Sequence, residues 1–105
     1  MSQYTIYENL NPNTKKAYPY IMDVQSVLLS ELSTRIVIPP GKKENQKKGI
    51  ITNLNSRITI NKKEYVLLTQ QITAISLRQI GSTVCDFISK RQDVLSAIDF
   101  LINIE

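Results

Sequence analysis

The strongest constraint in this sequence lies in its last quarter, Gly81–Glu105 (GSTVCDFISKRQDVLSAIDFLINIE), where apolar residues recur with a helical period. Val84, Phe87, Ile88, Val94, Leu95, Ile98, Leu101 and Ile102 follow spacings of three, four and seven, which gather most of them on one side of a helix. Asp86, Lys90, Asp93 and Asp99 mark the wetter side. Ser82 or Thr83, just after Gly81, supplies a start cap, and Asp86 then falls in a first turn whose dipole favours negative charge. Packing of the apolar stripe on a sheet explains most of this pattern. The expectation is also that the last residues project freely beside the stripe and offer a contact surface.

Upstream of that stretch the signals are those of short strands. Tyr4–Tyr7 is aromatic and β-branched and reads as a first strand. Glu8–Lys16 is a polar loop turned at Asn11-Pro12-Asn13. Tyr18–Gln25 reads as a second strand, with Tyr18, Tyr20, Met22 and Val24 on one face and Pro19, Ile21, Asp23 and Gln25 on the other. Val27-Leu28-Leu29 gives a short apolar turn. Arg35–Ile38 is a third strand, stopped by Pro39-Pro40, which cannot donate to a ladder. Gly41–Gly49 (GKKENQKKG) reads as a solvated lysine loop. Ile50-Ile51 extends a strand, Arg57–Ile60 and Glu64–Thr69 form a hairpin turned at Asn61-Lys62-Lys63, and Ile72–Ile75 is a further short strand. Six or seven close-spaced strands followed by one helix predict a single domain over 1–105: an antiparallel, partly barrel-like sheet carrying a C-terminal helix. The absence of strand–helix alternation argues against a parallel nucleotide-binding sheet.

The residue inventory narrows the chemistry. With no histidine among 105 residues, a Ser–His–Asp triad and a Cys–His zinc site are excluded. The one cysteine, Cys85, cannot close an internal disulfide and is expected to be a neutral thiol near the helix start. No apolar run is long enough to span a membrane, and the Met-Ser-Gln-Tyr-Thr-Ile-Tyr start lacks the design of a secretory signal, so a cytoplasmic location is expected. Thirteen basic against nine acidic residues permit a nucleic-acid or acidic-protein partner without demanding one. The lysine loop has no Arg and no aromatic for bases to stack on, and it does not match a phosphate-cradling loop. Asp93 and Asp99, six apart, do not closely share a helix face, and Asp86 and Asp93 lie two turns apart, so no carboxylate pair is poised for acid–base work. Asp23 is placed to bond nearby backbone and fix the turn into Val27.

Asp23-Val24-Gln25-Ser26, Arg35-Ile36-Val37-Ile38-Pro39, Tyr65-Val66-Leu67-Leu68-Thr69 and Ala97-Ile98-Asp99-Phe100-Leu101, in that order and spacing, resemble the CcdB family, from Tyr4 to about Ile102. The resemblance implies an SH3-like barrel of the CcdB/MazF type and a homodimer. It implies a plasmid- or chromosome-borne toxin that binds the A subunit of DNA gyrase and traps gyrase on cleaved DNA. It implies a CcdA-like antitoxin whose disordered segment wraps the toxin. No catalysis, cofactor, metal, membrane or direct nucleic-acid contact is implied.

The family's gyrase site uses the last three residues and the turn after the second strand. Carried over, it comprises Leu28, Leu29, Asp99, Ile102, Asn103, Ile104 and Glu105. Here the sequence departs from the family, which ends in Gly-Ile where this chain has Ile104-Glu105. A β-branched residue resists backbone conformations open to glycine, and an unpaired buried carboxylate is costly. The lysine loop also differs from the family's longer, more apolar segment, so the cognate antitoxin is expected to differ. Two alternatives therefore accompany the gyrase poison: a non-toxic homologue that binds an antitoxin as a decoy, and an endoribonuclease like the MazF relatives that share the fold.

Overall fold

Alternation of apolar and polar side chains sets the sheet faces from the first strand onward. The computed structural model describes residues 2–46 and 49–102. In β1 (Thr5–Asn9) Ile6 points into the main core and Tyr7 to the opposite face. β2 (Tyr20–Asp23) sends Tyr20 and Met22 to the core, joined by Val24 just beyond it, and buries Ile21 with Tyr7 and Val37 on the opposite face. Tyr18 does not share their face; it precedes Pro19, lies outside the strand and lines a cavity with Ile21 and Val37.

β3 (Thr34–Ile38) ends at Pro39, and the chain passes straight into β4 (Pro40–Lys42), whose first residue is the second proline. β4 is an edge strand, where a missing donor costs least. Pro39-Pro40 thus works as a pivot between sheets. β5 (Arg57–Ile60) and β6 (Lys63–Leu67) form the expected hairpin. Its two-residue turn has Asn61 and Lys62 at φ 50° and 68°, the twist that closes a tight hairpin. β7 (Thr73–Ser76) and β8 (Ile80–Asp86) complete the strands, and α1 (Arg91–Ile102) is the helix.

The strands form a five-stranded sheet, order β7-β3-β2-β1-β8, and a three-stranded sheet, order β4-β6-β5, with all pairs antiparallel. The core lies between them. Ile6, Met22 and Ile38 come from the larger sheet, Ile58, Ile60, Tyr65 and Leu67 from the smaller, and Val94 from α1. Tyr20 meets Tyr65 edge to face, with ring centroids 5.7 Å apart. This is the expected antiparallel, mainly β class with a C-terminal helix.

The final quarter departs from its sequence reading. Gly81–Asp86 is not helical but belongs to β8, which pairs with β1 through Asp86↔Thr5, Cys85↔Ile6, Thr83↔Tyr7 and Ile80↔Asn9. Thr83 and Val84 are β-branched, and an exposed row of β1 donors and acceptors rewards them as a strand. Gly81 admits close packing there: a Cβ on it would lie 3.0 Å from both Glu8 Cβ and Leu10 Cδ2. Val84 and Phe87 still reach the core, but from a strand and a 3-10 turn (Ile88–Lys90), so their spacing only imitates a helix. The helix starts at Arg91, and Asp93 rather than Asp86 occupies its first turn. Ser82 and Thr83 therefore cap nothing.

Two smaller expectations also change. Ile50-Ile51 joins no strand, and the lysine loop is partly built: Gly41 is buried, Gly41-Lys42 pairs with β6, and Lys43–Asn45 is a 3-10 turn. Lys47 and Lys48 lie outside the described residues.

Candidate functional site

The turn after the second strand is a short 3-10 helix, Val27–Leu29, with every side chain on the surface. Leu28 is 88% exposed, and Val27, Leu29 and Leu32 are each about half exposed or more. Four neighbouring apolar residues facing solvent form the kind of patch that marks a protein contact.

Local chemistry explains why so apolar a segment holds a defined shape. Ser26 caps it: its Oγ accepts from Leu28 N at 3.2 Å and its carbonyl accepts from Leu29 N at 3.0 Å. Gln25 braces it from below. Gln25 Nε2 donates to Leu29 O at 2.8 Å, while Gln25 Oε1 accepts from Ile36 N at 3.0 Å. The Gln25 amide in turn donates to Asp23 Oδ1 at 2.9 Å, which bears out the expectation that Asp23 fixes this turn. Asp23 Oδ2 also receives Arg35 Nη2 at 2.6 Å, and all three polar side chains are buried. The register Asp23↔Val37, continued by Val24 N to Ile36 O, sets Gln25 opposite Arg35 and makes Asp23–Arg35 a diagonal cross-strand pair.

Asp99 sits elsewhere, on α1. With Lys90, Asp93, Ser96 and Phe100 it lines one wall of a cleft of about 780 Å³, opposite Asn53, Asn55, Ser56 and Arg57. Asp93 and Asp99 both line this cleft, although six residues along the helix set them on different parts of its surface. Lys90 pairs with Asp93 at 3.8 Å. The opposite wall is firm: buried Asn55 accepts from Ile51 N and donates to Leu67 O and Gln70 Oε1, and Thr69 Oγ1 donates to Leu54 O at 2.6 Å.

Ile102, the last residue of α1, is 69% exposed. Asn103, Ile104 and Glu105 lie outside the described residues. Among the described residues, no hydrogen bond or shared core cluster joins Leu28 or Leu29 to Asp99 or Ile102, so the site residues divide between a turn and a helix.

Cys85 is not at a helix start but in β8, where burial and then neighbouring Asp86 push its thiol up and keep it neutral. Lys42, Lys43 and Lys63 share a shallow cavity with Glu44 and Glu64, and Lys43 pairs with Glu64 at 3.3 Å. Their charges are largely compensated on the spot, which weakens any phosphate-binding role for these lysines. Among the described residues, no helix is long and apolar enough to cross a membrane. The sequence reading missed Gln25 as the brace of the turn and Arg35 as the partner of Asp23; its one clue was the place of Asp23 and Gln25 on the same face of the second strand.

The family model described as "CcdB protein" matches residues 3–103. Among solved structures, the Mycobacterium tuberculosis toxin MazF-mt6 is similar over 96% of this chain and 98% of that one, with a TM-score of 0.75 and 11% identity. At that identity the likeness is one of fold. No curated protein sequence matches the chain.

Proposed function

The chain belongs to the CcdB family, the toxins of ccd toxin–antitoxin pairs, and from that premise we propose that it acts by binding the A subunit of DNA gyrase and trapping gyrase on cleaved DNA. It does so as a homodimer in the cytoplasm, without catalysis, and a CcdA-like antitoxin neutralises it. The observation that carries this reading is the Val27–Leu29 turn, which holds Leu28 almost wholly in solvent on a braced scaffold. Leu29, Asp99 and Ile102 extend the contact, and Asn103, Ile104 and Glu105 complete it by family resemblance.

The test is a cleavage assay with purified protein, gyrase, supercoiled plasmid and ATP, quenched with detergent and protease. Linear DNA that depends on the protein is expected, and Leu28→Ala should reduce it at unchanged thermal stability. No linear DNA from a folded dimer would overturn the reading.

The Ile104-Glu105 tail favours one second reading, a homologue that has lost poisoning and binds an antitoxin as a decoy. Burying an unpaired carboxylate costs a few kcal/mol, and about 1.4 kcal/mol is tenfold in affinity. Ile104→Gly with Glu105→Ile should then restore toxicity. A repaired dimer that stays harmless removes the tail as the cause. Sequence-specific cleavage of added RNA would instead favour an endoribonuclease.

A further inference from the structure

We infer that Gln25 is a positioning residue: its buried side chain locks the Val27–Leu29 turn so that Leu28 meets a protein partner already in its bound shape. The inference rests on the reading of that turn as a partner contact. It assigns the preformed shape to a residue that touches no partner, since Gln25 is 3% exposed.

A turn of three residues has little to hold it. Its own bonds are Leu28 N to Ser26 Oγ, Leu29 N to Ser26 O and Ser30 N to Val27 O, the last at 3.3 Å. Such a segment, with Leu28 almost wholly in water and Val27 and Leu29 about half exposed, should open and close readily. Gln25 supplies the missing constraint. One amide group bonds both sides of the connection, Nε2 to Leu29 O in the turn and Oε1 from Ile36 N in β3. Its own backbone is held by Asp23, which Arg35 holds in turn. The chain of bonds runs from β2, the central strand of the larger sheet, and its neighbour β3 to the carbonyl after Leu28. A partner that must order a loose turn binds more weakly by the fraction of time the turn is formed.

Gln25→Met keeps the length and removes both side-chain bonds. Gln25→Glu keeps the acceptor for Ile36 N and sets a carboxylate against the Leu29 carbonyl, which isolates the arm to the turn. Binding of each variant to a purified fragment of the gyrase A subunit should weaken on the order of 5–10-fold, the worth of about one hydrogen bond. In a Leu28→Ala background the same changes should alter binding less than about twofold, because the group being positioned is gone. Hydrogen exchange on the free proteins should show faster exchange at the Leu28, Leu29 and Ser30 amides, with Ile6, Met22 and Ile38 unchanged.

Equal losses with and without Leu28 would make Gln25 merely structural and overturn the inference, as would unchanged exchange in the turn. If the unaltered protein does not bind the gyrase fragment while Leu28→Ala is equally inert, the target reading falls and takes the named partner with it. The exchange result still decides whether Gln25 holds the turn.

Discussion

Replacing Arg35 with Met should cost about 3–5 kcal/mol of folding stability, because it leaves an uncompensated charge in the protein interior. Arg35 Nη2 lies 2.6 Å from Asp23 Oδ2, and the two side chains are 2% and 0% exposed. Without the guanidinium, the Asp23 carboxylate keeps only the Gln25 amide as a partner. A domain of this size has a total stability of roughly 5–15 kcal/mol, so the loss is a large share of it. The pair itself is worth far less than its breakage. Arg35 Nε has no hydrogen-bond partner, and a buried unmet donor offsets part of what the ion pair contributes. The double replacement Asp23→Leu with Arg35→Met should therefore recover most of the loss. It should stay about 1–2 kcal/mol short, for the Gln25 amide it leaves unpaired. Urea unfolding at neutral pH, followed by circular dichroism on both singles and the double, measures the coupling directly. An Arg35→Met cost below about 1 kcal/mol would mean that water reaches Asp23 and that the buried network is not what holds this corner. Additive losses in the double would refute the pairing itself.

Further outcomes follow from local geometry and burial. Lys62 at φ 68° occupies a position that glycine adopts without strain, so Lys62→Gly should stabilise the hairpin by about 0.5–1 kcal/mol, read as a raised urea midpoint with unchanged slope. Gly81→Ala should destabilise by about 1–3 kcal/mol, since the added methyl meets Glu8 and Leu10 at 3.0 Å, and exchange at β1 amides should rise with it. Burial and Asp86 hold the Cys85 thiol above its ordinary value of 9.0, so iodoacetamide should label it more slowly than in the urea-unfolded chain at pH 8. Because the folded form keeps that proton longer than the unfolded one, its contribution to stability is complete below pH 9.0 and declines as pH rises through the folded value; Tyr65, raised from 10.0 first by burial, adds to the same alkaline loss.

Strands with period two were legible in the sequence because alternation is a local signal: Tyr20, Met22 and Val24 fall on one face and Ile21 on the other, as their positions predict. The Asn61-Lys62-Lys63 turn was legible from its polar residues between two apolar runs, though Lys63 already belongs to β6. Gly81–Asp86 was not. Val84, Phe87 and Ile88 are spaced as in a helix, and only the free edge of β1, formed far away in the chain, decides in favour of a strand. The Asp23–Arg35 pair needed the β2–β3 register, which no single stretch encodes. Asp93 and Asp99 were set apart by their angular separation on an ideal helix, but a cleft running along α1 is wide enough to take both. Of the candidate site, the turn was visible as an apolar run out of place, whereas its bracing by Gln25 was not.

The bracing itself argues for a binding surface over an incidental loop. Leu28 buries almost nothing, so it adds little to folding; a polar residue there would leave the core intact. Asp23, Gln25 and Arg35 are buried polar groups that well-packed apolar side chains of similar volume would often equal or better in stability. What this arrangement supplies that an apolar core does not is direction. Each hydrogen bond fixes an angle as well as a distance, and together they fix the path of the chain from Asp23 to Leu29. Rigid presentation of an exposed leucine matters only to something that lands on it. The turn is tied to β2 and β3 and should survive changes at Ile104 and Glu105 unaltered, so Leu28→Ala should weaken partner binding by the same factor with either tail.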